Sequence, residues 1–342
     1  MLISGLALNS SMGVWRAMRQ EESESSDRPT PTVLVTGGSG FIGTWVIREL
    51  LRKECSVVAY DLVESGPRWK EILGASAEAV PLVRGDLLDT QSLGEILDRR
   101  AISHVIHLGA WLTPACQRDP MRGCQINVLG TLGIFELIRA RKDRIQGFSY
   151  ASSVAVYHSE FDDAPGAPPT APFEPQTFYG VFKRTTEMIA QQYWLHFGIP
   201  SVGLRPYVVY GPGRELGLTA GPTLAARAVA RGEGYTFCFS GAAGFEYVQD
   251  TARAFVQAAL EAPNAQIVDL PGQHSTVDDV VRLLSGIRPA SLSRLSIAGP
   301  PLPCAIPANA PTIHGLFPEW KTTPLEIGLR QTVEFYEKHI NL

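Results

Sequence analysis

Residues 32–43, TVLVTGGSGFIG, constrain this chain more than any other stretch. TVLVT (32–36) is a short β-rich run, glycines follow at once, and FIGTWVIRELLRK (41–53) carries apolar residues at helical spacing. Gly38, Gly40 and Gly43 spell GxGxxG, while Gly37, Gly40 and Gly43 spell GxxGxxG. A side chain in such a turn blocks both the approach of backbone to a pyrophosphate and the close packing of helix on strand. The first amides of the helix, those of Phe41, Ile42 and Gly43, then direct their partial positive charge at the phosphates. A glycine-rich turn is weak evidence alone; lying between a strand and a helix gives it meaning.

The pattern continues along the chain. SVVAY (56–60), PLVRGD (81–86), HVIHLGA (104–110), GFSYAS (147–152) and SVGLRP (201–206) read as strands. Helical segments at 91–100, 126–141 and 178–197 lie between the later ones. This alternation predicts an α/β fold, a Rossmann-type doubly wound parallel sheet. The expected division is a leader at 1–31, a nucleotide-binding domain at 32–206, and a smaller substrate-binding domain at 207–342, with later segments able to complete the sheet. The leader contains EESESSDRPTP, the composition of a disordered segment, and DDAPGAPPTAPFEPQ (162–176) is a proline-rich loop. TTPLEIGLRQTVEFYEKH (322–339) is an amphipathic terminal helix.

Composition supports a chain able to bury a core and excludes several other classes. Of 342 residues, 45% are hydrophobic and 19% charged, enough apolar material for a core. The net charge of −4 offers no basic surplus for a nucleic-acid backbone. No apolar run approaches the ~20 residues that cross a bilayer. The 5 cysteines are scattered without CxxC spacing, so no metal site is expected and a reduced cytoplasmic setting fits.

Asp61 ends the second strand about 20 residues past the glycine turn, where a carboxylate accepts from an adenosine ribose and repels a 2′-phosphate. NAD is therefore the expected cofactor. Ser153 ends a later strand, and strand C-termini border the ligand crevice in this architecture. Tyr179 and Lys183, four apart, share one helix face. The lysine ammonium and a positive nicotinamide are expected to lower the phenol's pKa, making Tyr179 a base for a hydroxyl proton. Ser153 holds the substrate oxygen in this reading, and Lys183 also orients the cofactor ribose.

In that order these residues resemble the extended short-chain dehydrogenases/reductases, the NAD-dependent epimerase/dehydratase family, over about 32–340. Further matches are GDL (85–87), HLGA (107–110), INVLGT around Asn127, SSVAVY (152–157), YGVFK (179–183), LRPYVVYGPG (204–213) and EYVQDTARAF (246–255). The resemblance implies that Asp86 and Leu87 contact adenine and that Leu108, Gly109 and Ala110 line the dinucleotide. It also implies that Asn127 braces the site, that Tyr207 flanks the nicotinamide, and that the chain forms a homodimer through helices such as 126–141 and 178–197.

Departures from the family narrow the chemistry. Val154 and Ala155 stand where dehydratases carry an Asp-Glu pair, so elimination by that route is excluded. Val208 and Ala243 replace an asparagine and an arginine that serve a nucleotide-sugar diphosphate in the family. Arg214 and Arg231 are able to restore that charge or are solvated surface groups; Arg214, beside GPG, is the better placed to meet an anion. Trp111 either walls the substrate pocket or packs. His107 reads as a core residue, and Cys116 and Cys238 show no activating partner. The expected function is NAD-dependent oxidation or reduction of a secondary alcohol or ketone on a small sugar-like molecule. The alternatives are a sugar or nucleotide-sugar epimerase working through a transient ketone, and a non-catalytic NAD-binding regulatory protein.

Overall fold

The computed structural model describes residues 30–157, 173–262, 264–302 and 310–339. All but the end of the expected leader, most of the proline-rich loop and Cys304 lie outside the described residues. Among the described residues twelve strands follow in chain order: β1 (Thr32–Thr36), β2 (Ser56–Asp61), β3 (Leu82–Arg84), β4 (His104–His107), β5 (Gly147–Ala151), β6 (Val202–Pro206), β7 (Val208–Tyr210), β8 (Tyr235–Phe237), β9 (Ala242–Tyr247), β10 (Gln266–Leu270), β11 (Gln273–Thr276) and β12 (Leu295–Ile297).

Seven of them form one parallel sheet in the order β3-β2-β1-β4-β5-β6-β10. β1 and β4 are neighbours although two strands separate them in sequence, so the connections leave in opposite directions here and open a crevice at the strand ends. The strands are buried along nearly their whole length, as in a sheet covered on both faces. One face packs the helices Phe41–Arg52 and Val248–Glu261 through Trp45, Val46, Leu50, Phe255 and Val256. The other packs Thr90–Arg99, Gly130–Arg139 and Phe178–Phe197 through Leu93, Leu97, Phe135, Ile138 and Tyr193.

The second half of the chain is divided between two layers. Helix Val248–Glu261 and β10 return to the main sheet, where β10 pairs with β6. A smaller layer holds β11-β9-β7 and β12-β8, with helices Gly221–Arg231, Val277–Ile287 and Leu325–Lys338 around an apolar cluster that includes Phe237, Phe245 and Leu284.

His107 closes β4 as a buried core residue. Its Nδ1 lies 2.6 Å from Thr36 Oγ1 and its Nε2 3.0 Å from Thr131 Oγ1, so the neutral ring is satisfied on both sides. Burial, aided by the Lys183 charge, pushes its pKa down to about 3. The folded protein therefore refuses a proton that the unfolded chain accepts, and the stability held above the ordinary histidine pKa is lost as pH falls from there toward 3. Between pH ~6 and ~4 the wild type should lose about 1.4 kcal/mol per pH unit more than His107→Asn, measured by urea unfolding across that range.

Candidate active site

The glycines of the turn do different work. Gly37 has φ +69°, and a Cβ there would lie 2.7 Å from the Gly109 amide nitrogen. A Cβ on Gly43 would lie 2.1 Å from the Gly37 carbonyl oxygen. These two close the turn onto the end of β4 and onto its own helix. Gly40 is looser, since its Cβ would meet only the Gly37 oxygen, at 3.0 Å. It is the N-cap of helix Phe41–Arg52, and no side chain caps that end. The partly exposed Gly40, whose place leaves little room for a side chain, and the first amides at Phe41, Ile42 and Gly43 fit a pyrophosphate.

Asp61 sits half-buried at the end of β2. Its Oδ2 accepts from the Ser39 amide at 3.0 Å and its Oδ1 from the Val63 amide at 3.3 Å, which fixes the carboxylate beside the turn with lone pairs left for ribose hydroxyls. Asp86 accepts from the Leu88 amide through Oδ1 and pairs through Oδ2 with Arg122 at 3.1 Å, a partner absent from the sequence reading. Leu87 packs on Gly109, whose Cβ would fall 2.8 Å from Leu87 Cδ1. Leu108, Gly109 and Ala110 carry the chain away from β4 partly exposed.

Asn127 is buried in a π-helical turn, Gln125–Leu129, an irregularity that often marks functional sites. Its Oδ1 accepts from the Trp111 amide at 2.8 Å, and its Nδ2 donates to the Trp111 carbonyl at 2.9 Å. It thereby clamps the loop that follows β4. The same Nδ2 lies 3.4 Å from Cys116 Sγ. Cys116 thus belongs to the wall of the site, yet burial pushes its thiol up and keeps it protonated.

Ser153, Tyr179 and Lys183 come together at the end of β5. Ser153 Oγ accepts from the Ala155 amide at 3.2 Å and hydrogen-bonds Tyr179. Gly180 makes this approach possible, because a Cβ there would lie 2.1 Å from the Ala155 carbonyl oxygen. Thr177 caps the helix that carries Tyr179 and Lys183, accepting from the Gly180 amide at 3.0 Å. Lys183 Nζ lies 5.6 Å from the Tyr179 ring centroid and donates to the Ala151 carbonyl at 2.6 Å. Burial lowers its pKa to about 8, against the opposing influence of Cys116 and Glu187.

The electrostatics of Tyr179 differ from the sequence expectation. Burial dominates and pushes the phenol up to about 12; the groups that oppose it are the Ser153 hydrogen bond and the Arg214 cation, not Lys183. Lys183 is itself desolvated and turned to a carbonyl, so its field acts weakly on the phenol oxygen.

Arg214 donates to the Val209 carbonyl and to Thr219 Oγ1, and its guanidinium carbon lies 6.0 Å from the Phe41 ring centroid. Arg231, by contrast, is exposed at the end of its helix. Val208 and Ala243 are buried in the apolar cluster of the smaller layer. Tyr207 packs against Val154, Val156 and Tyr157 beside the Ser153 loop.

Sequence reasoning missed the network beneath the site. Arg205 is buried and donates to both oxygens of Glu187, at 2.5 and 2.8 Å. It also reaches Tyr157 and Asp269. Ser152 donates to Glu187 at 2.5 Å, tying the loop of Ser153 to the helix of Tyr179. A charged residue in a short strand gives no sign in sequence of facing inward; only the LRP context marked Arg205 at all.

The glycine geometry separates folding from cofactor binding. Gly43→Ala should cost about 3 kcal/mol or more through overpacking against the Gly37 carbonyl, read as a fall in thermal midpoint. Gly40→Ala should keep the fold while weakening NAD at least about tenfold, read by titration calorimetry.

Residues 33–270 match the sequence profile of the NAD dependent epimerase/dehydratase family. UDP-glucuronate 4-epimerase 1 of Arabidopsis thaliana is 29% identical over 186 residues, covering 53% of this chain and 43% of that protein. The chain spans about half the length of the curated relatives it matches. In three dimensions it is similar to the Thermus thermophilus UDP-glucose 4-epimerase in complex with NAD, with a TM-score of 0.73, 24% identity, and 89% and 98% of the two chains covered. It is also similar to the L-threonine dehydrogenase of Clostridium difficile, with a TM-score of 0.75, 18% identity, and 91% and 99% covered. At such identities the structural likeness shows the fold. The profile match, extending from β1 to the last strand of the main sheet, shows that the chain belongs to the NAD dependent epimerase/dehydratase family.

Proposed function

We propose that this protein is an NAD-dependent oxidoreductase that interconverts a secondary alcohol and its ketone on a small sugar-like substrate. The observation that carries this reading is the convergence of Ser153, Tyr179 and Lys183 at the end of β5, on the same edge of the parallel sheet as the uncapped glycine turn after β1. Ser153 Oγ holds the substrate oxygen and Tyr179 Oη exchanges the hydroxyl proton. Lys183, anchored on Ala151, meets the cofactor ribose. Bound NAD supplies the hydride acceptor and a positive ring that favours the phenolate. The side chains themselves favour the protonated phenol, so Tyr179 is well set to donate a proton when a ketone is reduced.

In this reading Gly37, Gly40, Phe41, Ile42, Gly43, Asp61, Asp86, Leu87, Leu108, Gly109, Ala110, Asn127 and Tyr207 line the cofactor. Trp111 and Arg214 face substrate. A second reading is epimerisation through a transient ketone, supported by the 4-epimerase names of the curated relatives. Stoichiometric NADH release from NAD and a substrate marks the first reading; isomer interconversion without net absorbance change marks the second. Tyr179→Phe should lower turnover by about 1,000-fold while leaving the Kd for NAD within about twofold. Unchanged turnover would instead reject Tyr179 as the proton-transferring group, whereas NAD binding with no turnover of any candidate substrate by the wild type would favour the non-catalytic NAD-binding alternative.

Helix Phe178–Phe197 also supports a homodimer. Val181, Met188 and Leu195, at seven-residue spacing, are exposed along one face, with Leu129 exposed on the preceding helical turn. Large exposed apolar side chains in such a row mark an association surface. Light scattering should show a dimer for the wild type and a folded monomer for the double variant Val181→Glu, Met188→Glu. A reduced cytoplasmic setting fits the free thiols of Cys55, Cys116, Cys124 and Cys238. Among the described residues no helix is long and apolar enough to cross a membrane.

A further inference from the structure

We infer that Arg214 is the receptor for a carboxylate on the substrate, so that the molecule oxidised or reduced is a small hydroxy or keto acid and not a nucleotide diphosphate sugar. The inference rests on the catalytic reading above and narrows its substrate class.

Among the described residues, Arg214 is a partly buried cation that lacks a counterion. Its two bonded partners, the Val209 carbonyl and the Thr219 hydroxyl, are neutral; they fix the guanidinium without cancelling its charge. The adjacent acid, Glu215, is turned away and pairs with Arg68 at 3.4 Å and Arg227 at 3.8 Å. No carboxylate among the described residues comes within ion-pair distance of Arg214. Burial pulls its pKa down to about 10, so it stays charged at neutral pH, and the Tyr179 phenol lies near enough to act against that shift. A cation held in a fixed, partly buried place with only neutral partners is a receptor that a ligand of opposite sign completes.

Position and charge then select the ligand. The guanidinium carbon lies 6.0 Å from the centroid of the Phe41 ring, at the start of the cofactor helix, and its charge acts on the Tyr179 phenol. An anion bound there belongs to a group close to the reacting carbon. One guanidinium neutralises one carboxylate and matches its planar pair of oxygens. A diphosphate brings at least two negative charges, and of the other nearby cations Arg68 is paired with Glu215 while Lys183 serves the cofactor ribose in the catalytic reading. The two positions able to help a diphosphate are the buried apolar Val208 and Ala243.

In the reaction the carbinol C–H bond breaks and its hydride passes to NAD. The hydroxyl proton passes through Tyr179 to solvent, leaving the keto acid. The carboxylate on Arg214 remains unchanged and holds the carbinol carbon in place. Reduction runs the same steps backwards.

The test uses the full chain with NAD bound. Lactate, 3-hydroxybutyrate and gluconate are compared with their amides, and with UDP-glucose and UDP-glucuronate, by titration calorimetry and NADH release. At least one acid should bind or turn over about 100-fold better than its amide, the worth of a charge-assisted hydrogen-bonded pair. Arg214→Gln should erase that ratio and Arg214→Lys should retain part of it, while the Kd for NAD stays within about twofold.

If Arg214→Gln weakens NAD itself and leaves the acid-to-amide ratio intact, the guanidinium serves the cofactor's phosphates and the inference is overturned. It is equally overturned if no acid is preferred over its amide, or if the UDP-sugars bind wild type and variant alike. Acid binding that depends on Arg214, together with turnover indifferent to Tyr179→Phe, would keep the anion site and reject the catalytic reading.

Discussion

The site depends on how closely backbone approaches backbone at the reversal point of the main sheet. Gly37 must sit against the Gly109 amide, and Gly43 against the Gly37 carbonyl, for β1, β4 and the first helix to meet. Side chains cannot supply this contact; only their absence can. Once the contact is made, the helix N-terminus, Asp61 and the loop after β4 converge on one crevice. Further along the same edge, Gly180 repeats the device by admitting the Ala155 carbonyl, which brings the Ser153 loop against the helix of Tyr179.

Polar side chains then lock what the glycines allow. Asn127 clamps the loop after β4, Thr177 starts the helix of Tyr179, and Glu187 gathers Ser152, Arg184 and Arg205 beneath them. Arg205 also reaches β10 through Asp269, so a strand from the second half of the chain takes part in holding the first. Such a buried ionic network costs desolvation, and its members are fully bonded, as that cost demands.

Much of this was legible in the sequence where the signals were local. β1 and the helix Phe178–Phe197 begin and end as read, the helix because Thr177 caps it and Gly198 leaves it in a left-handed conformation. The π-helical turn at Asn127 was not legible, since nothing in INVLGT distinguishes it from continuous α-helix. Nor was the pairing of β10 with β6, a contact between residues 266–270 and 202–206 that only tertiary packing selects. The order of effects on Tyr179 was missed for a similar reason. Residue spacing reveals neighbours but not desolvation, and desolvation outweighs them here.

The neighbourhood of Val154 and Ala155 bears on how this chain could acquire new chemistry. Val154 is packed with Val156 and Tyr157, and Ala155 presents its carbonyl to the helix of Tyr179. An acidic pair placed at these two positions would bring one carboxylate into an apolar nest and another beside a backbone contact with no slack. Acquiring eliminase activity is therefore a task of rebuilding a loop, so the reaction repertoire of this lineage is restrained by architecture as well as by the side chains it displays.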